Sequence, residues 1–177
     1  MSQASIILDR ESMTLVLDRL ASQVMETLNC QDLLLVGIER RGADLARRLA
    51  GLLKEKSGQT VHLGTLDINL YRDDWTSIKD APVIGTSHIP VDITDRTVLL
   101  IDDVLFSGRT IRAALDALLD YGRPRAVKLL VLIDRGHREL PIQADYVGKS
   151  VETSLGEQVS VLLSERDGED LVRREEL

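Results

Sequence analysis

Two adjacent carboxylates stand at the end of an apolar run in the middle of the chain. Asp102 and Asp103 come directly after Val98–Ile101, a run that is typical of a buried strand. Neighbouring carboxylates repel and are costly to desolvate, so a cation or hydrogen-bond donors should lie opposite them. Mg²⁺, usually bound through water, and the hydroxyl pair of a sugar are both suitable partners.

A small-residue segment follows the acids at a point where a helix is predicted to begin. It consists of Ser107, Gly108, Arg109 and Thr110. The unpaired N–H groups and the positive dipole end of a helix N-terminus can bind a phosphate, and the two hydroxyls can assist. Gly108 permits a close approach of the backbone to a ligand. The two acids could bind the hydroxyls of a sugar and the segment a phosphate, so together they suit a ribose 5-phosphate.

Other interpretations of residues 98–110 explain the stretch less completely. The acids could merely begin a turn, with Ser107 or Thr110 as a helix cap. A Walker P-loop is excluded because no G-x-x-x-x-G-K-[ST] is present. A phosphoacceptor receiver domain also uses acidic pairs, but it has no reason to follow them with Ser-Gly-Arg-Thr.

The elements around this stretch are predicted to alternate between strand and helix. Apolar or alternating runs predict strands at 33–38, 61–71, 98–101, 126–133, 145–151 and 158–163. Helices are predicted at 10–28, capped by Asp9, at 43–58 and at 110–121. The acidic tail after residue 163 is predicted to lie at the surface. This order indicates an α/β fold with a parallel sheet covered by helices on both faces.

Three polar segments follow predicted strands of this sheet. They are residues 39–42, 102–110 and 134–138. Ligands of such sheets bind beyond the carboxyl ends of the strands, so these segments are expected to converge on one site. The long polar segment 72–92 is expected to be a lid or a disordered loop.

Composition restricts the class of protein. The chain has 177 residues, 44% of them hydrophobic, and a net charge of −7, which does not favour binding to a polyanion. Cys30 is the only cysteine, so disulfide frameworks and cysteine metal sites are excluded. No apolar run approaches the roughly 18 residues that span a bilayer, and the N-terminus does not resemble a signal peptide. We expect a cytoplasmic protein with no membrane partner.

The stretch VLLIDDVLFSGRT at 98–110 resembles the phosphoribosyl-pyrophosphate (PRPP) motif of the type I phosphoribosyltransferases. The segments GIERRG, DINLYRDDW and VLIDRGHRELPIQADYVGK are more specific, and they resemble a family of bifunctional pyrimidine-operon regulators and uracil phosphoribosyltransferases. The resemblance extends from residue 6 to residue 163. It implies one domain over 1–177 with the type I phosphoribosyltransferase fold, a central, mostly parallel sheet flanked by helices, with a small hood.

The resemblance also implies roles for single residues. Asp102 and Asp103 would face the ribose hydroxyls and their Mg²⁺, and Arg72 in the lid would close over the pyrophosphate. PRPP and nucleotide binding would involve Arg40, Arg41, Asp102, Asp103, Val104, Leu105, Phe106, Ser107, Gly108, Arg109 and Thr110. Arg135 would read an edge of uracil, and Val159 would lie beside the base or the phosphate. His137 is either a substrate contact or a hydrogen-bonded surface residue.

By the same resemblance, the reaction would join uracil to PRPP and give UMP and pyrophosphate. A purine substrate stays open, since the 102–110 segment does not select a base. The family's second activity is binding of pyrimidine-operon leader RNA, so the alternative function is an RNA attenuator with secondary catalysis. Arg19 would serve RNA binding, but Asp18, Ser22 and Leu155 depart from the family pattern there. We also expect a homodimer or a larger homo-oligomer.

Overall fold

The computed structural model describes residues 5–73 and 86–177. The strands are β1 Ser5–Leu8, β2 Leu33–Ile38, β3 His62–Leu66, β4 Thr97–Leu105, β5 Ala126–Asp134, β6 Tyr146–Ser150, β7 Glu157–Leu162 and β8 Leu171–Glu176. The helices are α1 Arg10–Thr27, α2 Arg41–Ser57, α3 Arg109–Leu119 and α4 Ser164–Asp167, with a short 3-10 helix at Asn69–Tyr71.

Five strands form a parallel sheet in the order β3-β2-β4-β5-β6. The predicted α/β class and central parallel sheet are therefore confirmed. β2 and β4 lie side by side, with Leu35 paired to Leu99, so the segments that follow them leave the same edge of the sheet. The loop after β5 leaves that edge as well. The expected convergence of 39–42, 102–110 and 134–138 follows directly from this strand order.

The two faces of the sheet belong to two separate cores, which explains why its strands are apolar throughout. Alternate residues such as Leu35 and Leu99 pack with α1 and α2 in one core. Their neighbours Val36 and Leu100 pack with α3 in the other. Because each strand is covered on both faces, neither set of alternate positions can be polar.

A second sheet of three antiparallel strands, in the order β1-β8-β7, forms the predicted small hood. β8 lies in its middle, so the acidic tail, although most of its side chains stay at least partly exposed, contributes a strand to this sheet. Its residues alternate between the two faces of the sheet, and Val172 is fully buried. β7 contacts β4, so the hood stands over the strand that carries the acids.

Some predicted boundaries were wrong. The strand predicted at 61–71 ends at Leu66 and gives way to the 3-10 helix. β4 extends four residues beyond its apolar run, to Leu105, because its backbone continues to pair with β5 as far as Asp134. Most of the predicted lid, residues 74–85, lies outside the described residues. Among the described residues, no helix is long and apolar enough to cross a membrane.

Candidate active site

The acid pair lies inside β4 rather than after it. Asp102 is buried, with 6% of its surface exposed, and its Oδ1 accepts a hydrogen bond of 2.9 Å from the Asp103 N–H. Asp103 is half-buried, and its Oδ1 accepts one of 2.8 Å from the Val104 N–H. Pairing of β4 with β2 ends at Ile101, but its pairing with β5 continues to Leu105 and holds the two carboxylates at the edge of the sheet.

Burial disfavours the charged form of both carboxylates. It raises the pKa of Asp102 well above its ordinary value, and the charge of Asp103 adds to the rise. Burial also raises the pKa of Asp103, although the Val104 N–H and the positive charge of Arg41 oppose it. Two carboxylates in this state stand to gain from a ligand that brings hydroxyl donors or a divalent cation.

The site suits a metal ion that arrives with its ligand. Within the described residues, no cluster of three or more His, Cys, Asp or Glu side chains could hold a metal ion alone. Asp102 and Asp103 supply oxygen ligands, which Mg²⁺ prefers, but they are too few for a complete protein coordination shell. The donor set therefore fits Mg²⁺ shared with a phosphorylated ligand.

The 39–42 loop packs tightly against the acid-bearing strand. A Cβ atom on Gly42 would lie 2.4 Å from the Ile101 carbonyl oxygen, so only glycine permits this approach. Arg41 is thereby placed beside Asp103, and both line a cavity of about 390 Å³ that is also lined by β7 of the hood. Arg40 is exposed, and its carbonyl oxygen accepts a hydrogen bond of 3.4 Å from Arg166 Nη2.

The small-residue segment forms the start of α3, as predicted. Gly108 precedes the helix with a left-handed φ of 89°. Ser107 Oγ accepts a hydrogen bond of 3.3 Å from the Arg109 N–H. Ser107, Arg109 and Thr110 line a cavity of about 220 Å³ together with Arg72. A row of hydroxyls and amides therefore lies at the start of α3, only a few residues after the acids in the chain.

The Arg109 side chain turns towards two carboxylates. Its Nη1 lies 2.7 Å from Asp73 Oδ2, and its Nε lies 2.5 Å from Glu139 Oε2. These ion pairs join the start of α3 to the segment after the 3-10 helix and to the loop after β5. Arg109 thus links three parts of the candidate site.

The three residues between the acids and the segment differ in their surroundings. Val104 lines the cavity of Asp103, and Leu105 is buried in the core at 1% exposure. Phe106 is partly exposed, and the Arg135 guanidinium lies over its ring, 4.2 Å from the centroid.

Arg135 is largely buried and engaged within the protein. Its Nη2 donates to the carbonyl oxygens of Ser154 and Glu157 at 3.2 and 2.7 Å, which ties the loop after β5 to the hood. Arg135 and His137 line a cavity of about 670 Å³. His137 is exposed, and its Nε2 lies 2.5 Å from the Thr153 carbonyl oxygen.

The structure does not bring the two predicted base-binding residues into one cavity. Val159 lies with Arg41 and Asp103, whereas Arg135 lies with His137. Their roles stay predictions.

Sequence patterns gave no signal for several charged residues around the site. Asp44 is 4% exposed, and both Arg47 and Arg166 pair with it. Asp167 pairs with Arg41, and Arg138 binds the loop that precedes α3. Arg166 pairs with Asp44 and Asp167 pairs with Arg41, in each case more than 100 residues away along the chain, and Arg138 reaches Phe106 across 32 residues, so no local spacing could have revealed these contacts.

The candidate RNA-binding residue on α1 is also engaged within the chain. Arg19 Nη2 donates to the Gly148 carbonyl oxygen, and its Nη1 donates to Gln23 at 3.4 Å. Asp18 Oδ1 lies 2.7 Å from Lys56 Nζ, so one nearby cation is neutralised.

Comparisons with known proteins agree with the fold. The family model described as Phosphoribosyl transferase domain matches residues 3–162, which defines the class of protein. The chain is 53% identical over 167 residues to the Bifunctional protein PyrR of Pelotomaculum thermopropionicum, covering 94% of this chain and 92% of that protein. It is 49% identical to the Bifunctional protein PyrR of Bacillus subtilis, with 97% of both chains covered. The chain belongs to the phosphoribosyl transferase family and, within it, to the family of these PyrR proteins.

Solved structures support the same fold. A hypoxanthine-guanine phosphoribosyltransferase from Bacillus anthracis matches with a TM-score of 0.69 at 17% identity, covering 97% of both chains. A hypoxanthine phosphoribosyltransferase from Trypanosoma cruzi in complex with the product IMP also has a TM-score of 0.69 and 17% identity, over 94% of this chain and 88% of that one. At this identity the likeness concerns the fold alone.

Proposed function

We propose that the chain transfers a phosphoribosyl group from PRPP to uracil, forming UMP and pyrophosphate. One observation carries this proposal. The acid pair lies near the carboxyl end of β4, and the amides and hydroxyls that open α3 follow it within a few residues, at the same edge of the sheet. One substrate can engage both groups if it carries ribose hydroxyls and a 5-phosphate. The identity of about 50% with PyrR proteins, together with the motifs that suggested uracil, supports the choice of base.

In this proposal each loop binds a different part of PRPP. Asp102 and Asp103 bind the ribose hydroxyls and share the Mg²⁺ that PRPP brings, which stabilises negative charge on the leaving group. Ser107, Gly108 and Thr110 bind the 5-phosphate. Arg40 and Arg41 bind the pyrophosphate, since guanidinium groups contact multiply charged anions in pairs of hydrogen bonds.

Arg41 has a donor that supports this assignment. Among the described residues, its buried Nε has no hydrogen-bond partner. A buried donor without a partner is costly, so a ligand that satisfies it gains binding energy. The Arg41 side chain lies beside Asp103, in the cavity that also holds Val159. We propose that the reacting ribose carbon lies between these residues.

We assign Arg72 to closure of the site over the phosphates and Arg135 to the loop that binds the base. Arg72 lines the cavity of Ser107 and Thr110, so closure of the 72–92 segment would bring its cation over the phosphates. Arg135 holds the loop after β5 against the hood, and we propose that this loop reads uracil mainly through backbone groups. Val159 would then contact the base from the hood.

The test is a direct assay with purified protein, Mg²⁺ and PRPP. Uracil and hypoxanthine are supplied together, and UMP and IMP are separated by chromatography. We expect UMP as the product and loss of turnover on chelation of Mg²⁺. Folded protein that makes no UMP, or that makes IMP instead, contradicts the proposal.

A second candidate function is binding of pyrimidine-operon leader RNA with UMP as effector. The word bifunctional in the relatives' names favours a second activity. The engagement of Arg19 with Gly148 and the pairing of Asp18 with Lys56 argue that α1 contributes little to such binding. A gel-shift titration with leader RNA, with and without UMP, tests this function. Binding that is salt-sensitive and stimulated by UMP would support it.

We further propose that the chain acts as one domain in the cytoplasm and as a homo-oligomer. The large apolar side chains of Leu70 and Leu119, which are 61% and 54% exposed, support burial between copies. Light scattering of the purified protein tests this, and a monomer at micromolar concentration would contradict it.

A further inference from the structure

Arg138 connects the two loops to which the proposed function assigns the base and the 5-phosphate. Its Nε donates to the Ile142 carbonyl oxygen at 2.8 Å, and its Nη2 lies 2.5 Å from Asp134 Oδ2. Its Nη1 reaches across to the loop before α3 and donates to the Phe106 carbonyl oxygen at 3.0 Å. The side chain is only 22% exposed.

Three consecutive carbonyl groups of the loop before α3 point at the loop after β5. Leu105 O accepts from the Arg135 N–H at 3.1 Å, and Phe106 O accepts from Arg138. Ser107 O accepts from the N–H groups of Glu139 and Leu140 at 2.9 and 3.1 Å. The loop after β5 therefore sets the orientation of each peptide plane that leads into α3.

Carbonyl orientation determines where the amides point. In a planar trans peptide the C=O and the following N–H are antiparallel. Because Arg138 draws the Phe106 carbonyl towards the loop after β5, the N–H of Ser107 points away from that loop. The bonds to Ser107 O turn the N–H of Gly108 in the same way. These are amides that the proposed function assigns to the phosphate.

Among these links the one made by Arg138 comes from a side chain, so a substitution can remove it. An arginine suits the position because its rigid planar fork reaches acceptors in different segments at once. A lysine has one nitrogen and cannot hold Asp134, Ile142 and Phe106 together.

We propose that Arg138 is a positioning residue that couples phosphate binding to base binding. This inference rests on the proposed function. A phosphate that orders the loop before α3 also orders the loop after β5 through Arg138. Equally, a base that orders the loop after β5 also orders the loop before α3. A nucleotide that engages both loops gains from this coupling, whereas a ligand that engages one loop does not.

The test compares UMP with its two halves. Dissociation constants of UMP, uridine and ribose 5-phosphate are measured by calorimetry and competition, for the wild type and for Arg138→Met and Arg138→Lys. Loss of the coupling should weaken UMP binding about tenfold more than it weakens uridine or ribose 5-phosphate binding, as expected for loss of a charge-assisted hydrogen bond. Arg138→Lys should recover part of the loss. Arg123→Met serves as the control, because Arg123 is exposed and precedes β5 at the opposite edge of the sheet.

Equal weakening of all three ligands would overturn the inference, because it indicates a general loss of structure. Unchanged binding of UMP would overturn it as well. If Arg138→Met does not fold, the same comparison on Arg138→Lys decides. Failure of the proposed function has a different signature: wild-type protein that neither makes nor binds UMP, which would overturn both proposals.

Discussion

Arg41 and Asp167 are 126 residues apart in the sequence, and their side chains form an ion pair next to the cavity that Arg41 lines. Arg41 Nη2 donates to Asp167 Oδ1 at 3.0 Å. Asp167 also accepts a hydrogen bond of 2.8 Å from the Leu163 N–H, and these two contacts lower its pKa. The hood thus holds the arginine to which pyrophosphate binding is assigned, with a carboxylate that competes for the same cation.

Asp167→Asn should strengthen pyrophosphate binding. The amide keeps an acceptor oxygen but removes the negative charge, so Arg41 can turn to the ligand with less competition. Because this ion pair is partly solvated, we expect a gain of about threefold, or roughly 0.7 kcal/mol. Product inhibition by pyrophosphate measures the effect.

Glu165→Gln is the matched control for Asp167→Asn. It removes the same charge from α4, but Glu165 pairs with Arg48 and not with Arg41. An equal gain in pyrophosphate affinity in both variants would indicate a general effect of removing negative charge. It would contradict a specific competition between Asp167 and pyrophosphate for Arg41.

Asp103→Asn should abolish turnover and stabilise the ligand-free protein. Burial raises the pKa of Asp102 and Asp103, so their charges destabilise the fold when no ligand is present. An isosteric amide removes one charge and the mutual repulsion. We expect the Tm at neutral pH to rise by about 3 °C, equivalent to roughly 1 kcal/mol for a chain of this length.

Adding PRPP and Mg²⁺ separates the two effects of Asp103→Asn. The wild type should gain thermal stability from these ligands, and the variant should gain much less. A variant that is less stable than the wild type without ligand would contradict the assigned cost of the buried charges.

The central part of the fold could be predicted because its signals are local. The strand at 33–38 and the helices with a clear apolar period were placed to within a few residues. Asp9 caps α1 as predicted and accepts a hydrogen bond of 2.9 Å from the Ser12 N–H. Continuous apolar runs also indicated a sheet covered on both faces, because a strand between two cores has no polar side.

The hood and its contacts could not be predicted from local patterns. β1 has four residues, and β8 ends in four consecutive charged residues, so neither has a strong apolar signal. Arg41, Arg138 and Arg166 are ordinary charged residues in the sequence. Their partners are determined by how the hood and the loop after β5 fold back on the sheet.

The Arg48 cluster should make stability depend on pH in the acid range. Arg48 lies 2.5 Å from Glu165 Oε2 and 2.6 Å from Asp170 Oδ1. Its hydrogen bond lowers the pKa of Glu165. Burial alone would raise the pKa of Asp170, but the bonds from Arg48 and from the Ser164 N–H outweigh it and lower that pKa.

The sign of this dependence follows from the lowered values. In the unfolded chain these carboxylates take up protons near their ordinary pKa values of 4.5 and 3.8, and in the folded chain only at lower pH. Their stabilisation is therefore present above about pH 5 and is lost as the pH falls through that range. Urea unfolding between pH 6 and pH 3 should show a smaller loss of stability for Asp170→Asn than for the wild type.

Arg48→Met provides the complementary measurement. It should reduce the same acid-range loss, and the double variant should add little to either single one, because the three side chains form one cluster. Fully additive effects would contradict the cluster.

Gly42 and Gly51 both lie in α2, and alanine substitutions at the two positions should change the stability of the protein in opposite directions. A Cβ at Gly42 would lie 2.4 Å from the Ile101 carbonyl oxygen, which belongs to backbone and cannot move aside easily. Gly42→Ala should therefore cost roughly 1–3 kcal/mol of stability and displace Arg41 from Asp103, which raises the KM for PRPP.

Gly51 provides the control, because it also lies in α2 but a Cβ there would meet nothing within 4 Å. Gly51→Ala should stabilise the protein by about 0.5–1 kcal/mol through helix propensity and leave the KM unchanged. If Gly42→Ala keeps the wild-type KM, the tight packing of the 39–42 loop has no part in holding Arg41 at the site.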